Sequence, residues 1–148
     1  MTQVLLDVDH ARAVAAALLQ TAGVSHDDAL TTADCLIYAD RRGTASHGLM
    51  RLPLYLSALR AGGINARAQW DWQRTHPSGG LLHADGALGQ VAMREAVQFV
   101  TDRIADSPAV VVVVQDSTHY GAGSYWSDQI AEQGALAILT STTGPVAA

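Results

Sequence analysis

The sequence has one cysteine, one phenylalanine and no lysine in 148 residues. A lone Cys35 cannot close an internal disulfide, which fits a reducing compartment and a cytoplasmic setting. The nine basic residues are outnumbered by fourteen acidic ones, for a net charge of -5. No basic stretch is long enough to track phosphates, so a nucleic-acid partner is not expected. Long apolar runs are also missing. The longest, Ala109 to Val114, is far too short to span a bilayer, so no membrane role is expected. The start, Met1 to Asp7, has neither the basic nor the apolar region of a signal peptide. What remains is 49% hydrophobic, enough for a globular core.

Three helices are expected in the first half. Asp9 is placed to cap one that Gly23 stops after Ala22. Ser25 opens a second, with Asp27 and Asp28 at its positive end and Arg41 and Arg42 at its negative end. Leu30, Ala33, Leu36, Ile37 and Ala39 mark its buried side. A short third helix continues through Leu54 to Leu59 and ends at Gly62-Gly63.

The pattern then changes. Trp70 to Arg74 alternates as a half-exposed strand does, and Leu81 to Asp85 reads as its hairpin partner. Gly86 to Gly89 reads as a loop, and Gln90 to Ala105 as a helix. The β-branched run Ala109 to Val114 predicts a strand covered on both faces, Ser124 to Gln133 a helix, and Ala135 to Ser141 a second buried strand. That order predicts a parallel α/β unit with ligands at the strand ends, where His119 lies. The last residues, Thr142 to Ala148, read as a cut edge.

The densest chemistry lies between Arg41 and Tyr55. His47, Arg51 and Tyr55 are four apart, so a helical run would stack them along one stripe. Pro53 leaves two alternatives: a helix starting near Leu52 with His47 on the loop before it, or one longer kinked helix. Either way an imidazole lies near a guanidinium, as a small acidic substrate requires. The plainer alternative is a solvated basic helix start, and for His119 a surface-loop histidine. His10, His26, His76 and His83 lack metal-ligand spacing to one another or to Cys35, so no metal is expected. Gly86-Ala87-Leu88-Gly89 lacks the full dinucleotide fingerprint and a Walker lysine. Asp116-Ser117 beside His119 has no nucleophile elbow and does not suggest a hydrolase. Trp70 and Trp72 read as packing or interface residues rather than a stacking platform, since no basic groove surrounds them.

Arg42-Gly43, Ser46-His47-Gly48, Arg51-Leu52-Pro53, Tyr55 and Gly62-Gly63-Ile64-Asn65, followed by Asp85-Gly86, Gly89-Gln90, Asp116 to Gly121 and Thr140 to Pro145, resemble the malate/L-lactate dehydrogenase family of the second type. Ureidoglycolate, sulfolactate and diketogulonate-type dehydrogenases and cyclic-imino-acid reductases belong to that group. The resemblance implies a non-Rossmann α/β fold, here its truncated N-terminal part: residues 1–65 as a helical segment, 66–148 as the start of the α/β domain. It implies hydride transfer between NAD or NADP and a 2-keto, 2-hydroxy or cyclic imino acid, by a homodimer. By resemblance, His47 and His119 exchange the proton. Ser46, Arg51 and Tyr55 line the substrate pocket, with Arg51 clamping the carboxylate, and Gly121 and Thr143 lie by the cofactor. Thr44-Ala45, Asp116 and Thr118 depart from the family's commoner residues. Family members are more than twice as long, so the isolated chain is expected to bind cofactor poorly and to be inactive. The rival expectation is a non-catalytic domain that keeps the histidines as relics.

Overall fold

The computed structural model describes residues 6–142, so Thr143 lies outside the described residues. Helix α1 spans Val8–Thr21. Its cap is Asp7, whose carboxylate accepts the His10 N–H at 2.8 Å, and not Asp9. Asp7 has the extended backbone a cap needs, whereas Asp9 lies inside the first turn. Helix α2, His26–Arg41, starts as expected at Ser25, which accepts the Asp28 N–H. Arg12 of α1 pairs with Asp34 of α2, one of its bonds 2.8 Å long.

Two single 3-10 turns, Ala45–His47 and Leu49–Arg51, lead into α3, Leu52–Arg60. Of the two alternatives at Pro53, the chain takes the first: the proline sits at the helix start, where its missing N–H costs nothing.

Strands β1 (Asp71–His76) and β2 (Gly79–Ala87) form the expected hairpin. Helix α4, Gly89–Thr101, follows after a single residue. Thus Gly86 to Gly89 is a strand end and a helix start, not a loop. Asp85 and Gly86 take positive φ, 50° and 70°, in a bulge where the pairing of β2 with β3 changes register. Strand β3, Val111–Ser117, lies parallel to β2, and helix α5 spans Gly123–Ala131. The sheet is mixed, in the order β1-β2-β3.

Two expectations fail here. Among the described residues, 135–142 form no strand, and Leu136 and Ile138 are 89% and 85% exposed. The parallel partner of β3 is therefore β2. Nor is β3 covered on both faces, since Val111 and Val113 stand exposed. Branched side chains favour extended backbone, but covering a face needs neighbours that the described residues do not supply.

One core cluster joins α1, α2 and α3 to the start of α4 through Leu19, Leu36, Leu56, Leu59, Leu88 and Val91. A second lies under the sheet, around Leu82, Ala84, Ala87 and Ala92. Trp72 stacks on Phe99 with ring centroids 4.5 Å apart, a packing role. These two cores bring the end of α2, the start of α3 and the loop after β3 together.

Candidate active site

Gly43, with φ +75°, turns the chain out of α2. Asp40, in the last turn of α2, then holds the Ser46-His47-Gly48 segment: its carboxylate accepts the Leu49 N–H at 2.8 Å. A side chain at Gly48 would run into that carboxylate, so the close approach requires glycine. Ser46 Oγ and His47 Nδ1 lie 2.9 Å apart. The Arg51 Nε–H donates to the Ser46 carbonyl at 2.6 Å. Among the described residues, the terminal guanidinium nitrogens of Arg51 have no bond.

His119 arrives on the loop after β3. Thr118 fixes that loop by donating from its N–H and its hydroxyl to the Ala87 carbonyl, both at 3.2 Å. The Gly89 N–H donates back to Thr118 Oγ1 at 3.1 Å. A side chain at Gly89 would strike the backbone of Thr118 and His119. Gly89 therefore serves a close backbone contact, while Gly86 serves the positive φ of the bulge.

The rings of His47 and His119 lie with centroids 5.2 Å apart. Tyr55, 2% exposed, reaches His119 from the core side of α3. Its Oη is 2.7 Å from His119 Nδ1, and the Gly121 N–H points at the same nitrogen at 3.3 Å. An amide N–H can only donate. His119 Nδ1 is therefore the acceptor, the neutral ring carries its proton on Nε2, and Tyr55 donates. Tyr55 Oη in turn accepts from Gln90 Nε2 at 2.9 Å.

His119 as a residue is exposed, but its Nδ1 edge faces the interior. Burial, then the neighbouring His47, then Arg51 lower its pKa from 6.5. Burial pushes Tyr55 up to about 12, against the opposing effect of the Gln90 bond, so the phenol stays protonated at neutral pH. Cys35 is fully buried and rises to about 11, again through burial. Its Sγ lies where a side chain on Gly121 would have to go.

The residues singled out in the sequence thus converge, though not as a helical stripe. Ser46, His47 and Arg51 come from the turns, Tyr55 from α3, and His119 and Gly121 from the loop after β3. Sequence reasoning missed Asp40, Cys35 and Gln90. Gln90 carried a signal, since it is a polar residue in the first turn of a helix whose neighbours are apolar.

Elsewhere, His76 Nδ1 lies 2.9 Å from Ser78 Oγ, and His83 Nδ1 lies 2.6 Å from Gln115 Nε2 across β2 and β3. Among the described residues no cluster could hold a metal ion, and no helix is long and apolar enough to cross a membrane.

Paired imidazoles beside a guanidinium suit an acid that gains or loses a proton at a carbon-bound oxygen. The family model for malate/L-lactate dehydrogenases matches residues 6–148. The chain belongs to this family. Among its malate/L-lactate dehydrogenase relatives, the malate dehydrogenase of Pyrococcus horikoshii is 33% identical over 131 residues, covering 88% of this chain and 36% of the relative. The ureidoglycolate dehydrogenase (NAD(+)) of Escherichia coli K12 is 34% identical over 125 residues, covering 84% and 36%. The solved sulfolactate dehydrogenase of Methanocaldococcus jannaschii superposes with a TM-score of 0.85 at 28% identity, covering 88% of this chain and 38% of that one. The chain thus spans well under half the length of these relatives. The fold is that of the malate/L-lactate dehydrogenases, helices with a mixed three-stranded sheet.

The family implies a nicotinamide cofactor. Around His47 and His119 the described residues bring together imidazole, phenol and guanidinium groups. For the cofactor's phosphates the described residues offer little: the chain has no lysine, and the N–H groups of Gly89 and Gly121 already donate to Thr118 Oγ1 and His119 Nδ1.

Proposed function

We propose that the chain is the N-terminal part of an NAD- or NADP-dependent oxidoreductase acting on a 2-keto, 2-hydroxy or cyclic imino acid. The observation that carries this reading is the 5.2 Å approach of His47 and His119 beside Arg51. Arg51 holds the substrate carboxylate through its terminal nitrogens, with Nε tied to Ser46 so that the fork is pre-oriented. Ser46 orients His47, and Tyr55 orients His119. The cofactor, when bound, supplies or takes the hydride at the substrate carbon. The imidazole pair gives the substrate oxygen, or the ring nitrogen of an imino acid, its proton in reduction and removes it in oxidation. His119 presents Nε2–H, the edge without a partner among the described residues. Gly121 and Thr143 contribute at the nicotinamide end. The buried, unpaired Cys35 needs no oxidising compartment, which supports a cytoplasmic enzyme. The exposed Val111, Val113, Leu136 and Ile138 support assembly with further chain and as a homodimer.

The rival reading, a non-catalytic domain with relic histidines, gives no reason for a buried tyrosine and glutamine to orient His119. The test joins this chain to the remaining segment of a relative such as the P. horikoshii malate dehydrogenase. A folded, NADH-binding hybrid should reduce 2-keto acids and lose that activity in His119→Gln. A folded hybrid that binds NADH or NADPH yet reduces neither the keto acids of malate, lactate and sulfolactate nor piperideine-2-carboxylate would refute the proposal.

A further inference from the structure

We infer that Gln90 is a positioning residue whose side-chain amide reverses the hydrogen-bond chain behind His119 as that histidine changes protonation state. The inference rests on the reading that His119 exchanges a proton with substrate.

Gln90 is wholly buried in the first turn of α4, an unusual place for an amide. Its Nε2 donates to Tyr55 Oη, while its Oε1 has no partner among the described residues. An apolar residue would fill the same space without stranding a polar atom, so the amide calls for another reason.

The chain of bonds supplies one. With His119 neutral, Gln90 Nε2–H donates to Tyr55, and Tyr55 O–H donates to His119 Nδ1. With His119 as imidazolium, Nδ1 acquires a proton and must donate. Tyr55 then accepts at Oη, and its own hydroxyl proton needs a new acceptor. A half-turn of the amide brings Oε1 to the place of Nε2 and provides it. The chain then runs His119 to Tyr55 to Gln90. Each state leaves one end of the amide unpartnered, so neither is favoured on that count. A carboxylate at this position could only accept, an ammonium could only donate, and a methyl group could do neither.

The groups around His119 do not substitute for this function. His47 and Arg51 face it from the 3-10 turns and disfavour the charged ring. The Gly121 N–H can only donate, and so also favours the neutral form. Tyr120 lies beside the ring, with centroids 6.4 Å apart, and the buried Cys35 thiol lies behind Gly121. Tyr55 is thus the group on the Nδ1 side that can accept a proton's hydrogen bond, and it can do so only if Gln90 accepts in turn.

The test is a pH titration of the histidine ring nitrogens by long-range proton–nitrogen NMR on the 148-residue chain. In the unsubstituted chain, neutral His119 should be the Nε2–H tautomer. Gln90→Met removes the acceptor that Tyr55 needs in the charged state, so the His119 pKa should fall by about half to one pH unit. Gln90→Glu, an obligate acceptor once ionised, should shift it the opposite way. Tyr55→Phe should lower it and abolish the further effect of Gln90→Met. A folded Gln90→Met chain whose His119 titrates as before overturns the inference. So does a Gln90→Met shift that persists undiminished in Tyr55→Phe. If Gln90→Met does not fold, the loss of the Gln90→Glu shift in Tyr55→Phe decides in its place. None of these readouts depends on turnover, so failure of the proposed activity and failure of this inference are separately visible.

Discussion

His47 and His119 stand face to face, ring centroids 5.2 Å apart and tilted by 38°, although α3, the whole sheet and α4 lie between them in sequence. A charge on His47 disfavours a charge on His119. Replacing His47 by glutamine should therefore raise the pKa of His119 toward 6.5, while burial and Arg51 keep it from recovering fully. Nitrogen NMR titration of the two chains side by side measures this. An unchanged His119 would show that the rings do not sense each other.

Gly121 combines a positive φ of 81° with a close approach to Cys35. Gly121→Ala meets both obstacles and should destabilise the chain by about 2–4 kcal/mol. Urea denaturation gives the value. Cys35→Ala in the same background should recover part of the loss, since it opens space but leaves the backbone strain.

Acid should weaken the fold through His119. Its folded pKa lies below the unfolded value of 6.5, so the unfolded chain takes up the proton first. Stability is fully present above 6.5 and is lost as pH falls from there through the folded pKa. The effect is small, because the residue is partly open to solvent. The urea midpoint should fall as pH drops below about 6.5, and the fall should shrink in His119→Gln. An identical fall in both chains would assign it elsewhere.

The exposed apolar side chains Val111, Val113, Leu136 and Ile138 predict self-association of the isolated chain. Sedimentation velocity should show species larger than 15.5 kDa that dissociate on dilution. A compact monomer at all concentrations would favour the non-catalytic reading. The isolated chain should also turn over neither NAD(P)H with pyruvate or piperideine-2-carboxylate nor oxidised NAD(P) with malate or lactate.

Local chemistry carried most of what was legible in the sequence. Ser25 announced α2 because capping depends on a few adjacent residues, and Pro53 marked the start of α3 for the same reason. The two histidine motifs pointed to one site through family resemblance, since nothing in spacing says that residues so far apart meet. The failures were nonlocal. Ala135 to Ser141 has the composition of a strand, yet pairing requires a neighbouring edge in register, and composition does not specify one. Val111 and Val113 are branched residues that suit a strand whether covered or bare. Nothing local marks Asp40 among the helix-end carboxylates, because its role depends on Gly48 packing against it. Gln90 was assigned to a helix, but its partner, the Tyr55 hydroxyl, belongs to a different helix.

The most direct test of the whole account is a titration of the isotopically labelled 148-residue chain with malate and oxaloacetate, followed by the ring resonances of His47 and His119 and the side-chain Nε of Arg51. All three should shift together on one binding curve, and Arg51→Gln should weaken that curve at least about tenfold, the scale expected for loss of a bidentate charged clamp. If the two imidazoles do not respond, or respond equally well without Arg51, the residues do not form one acid-binding site and the account is wrong.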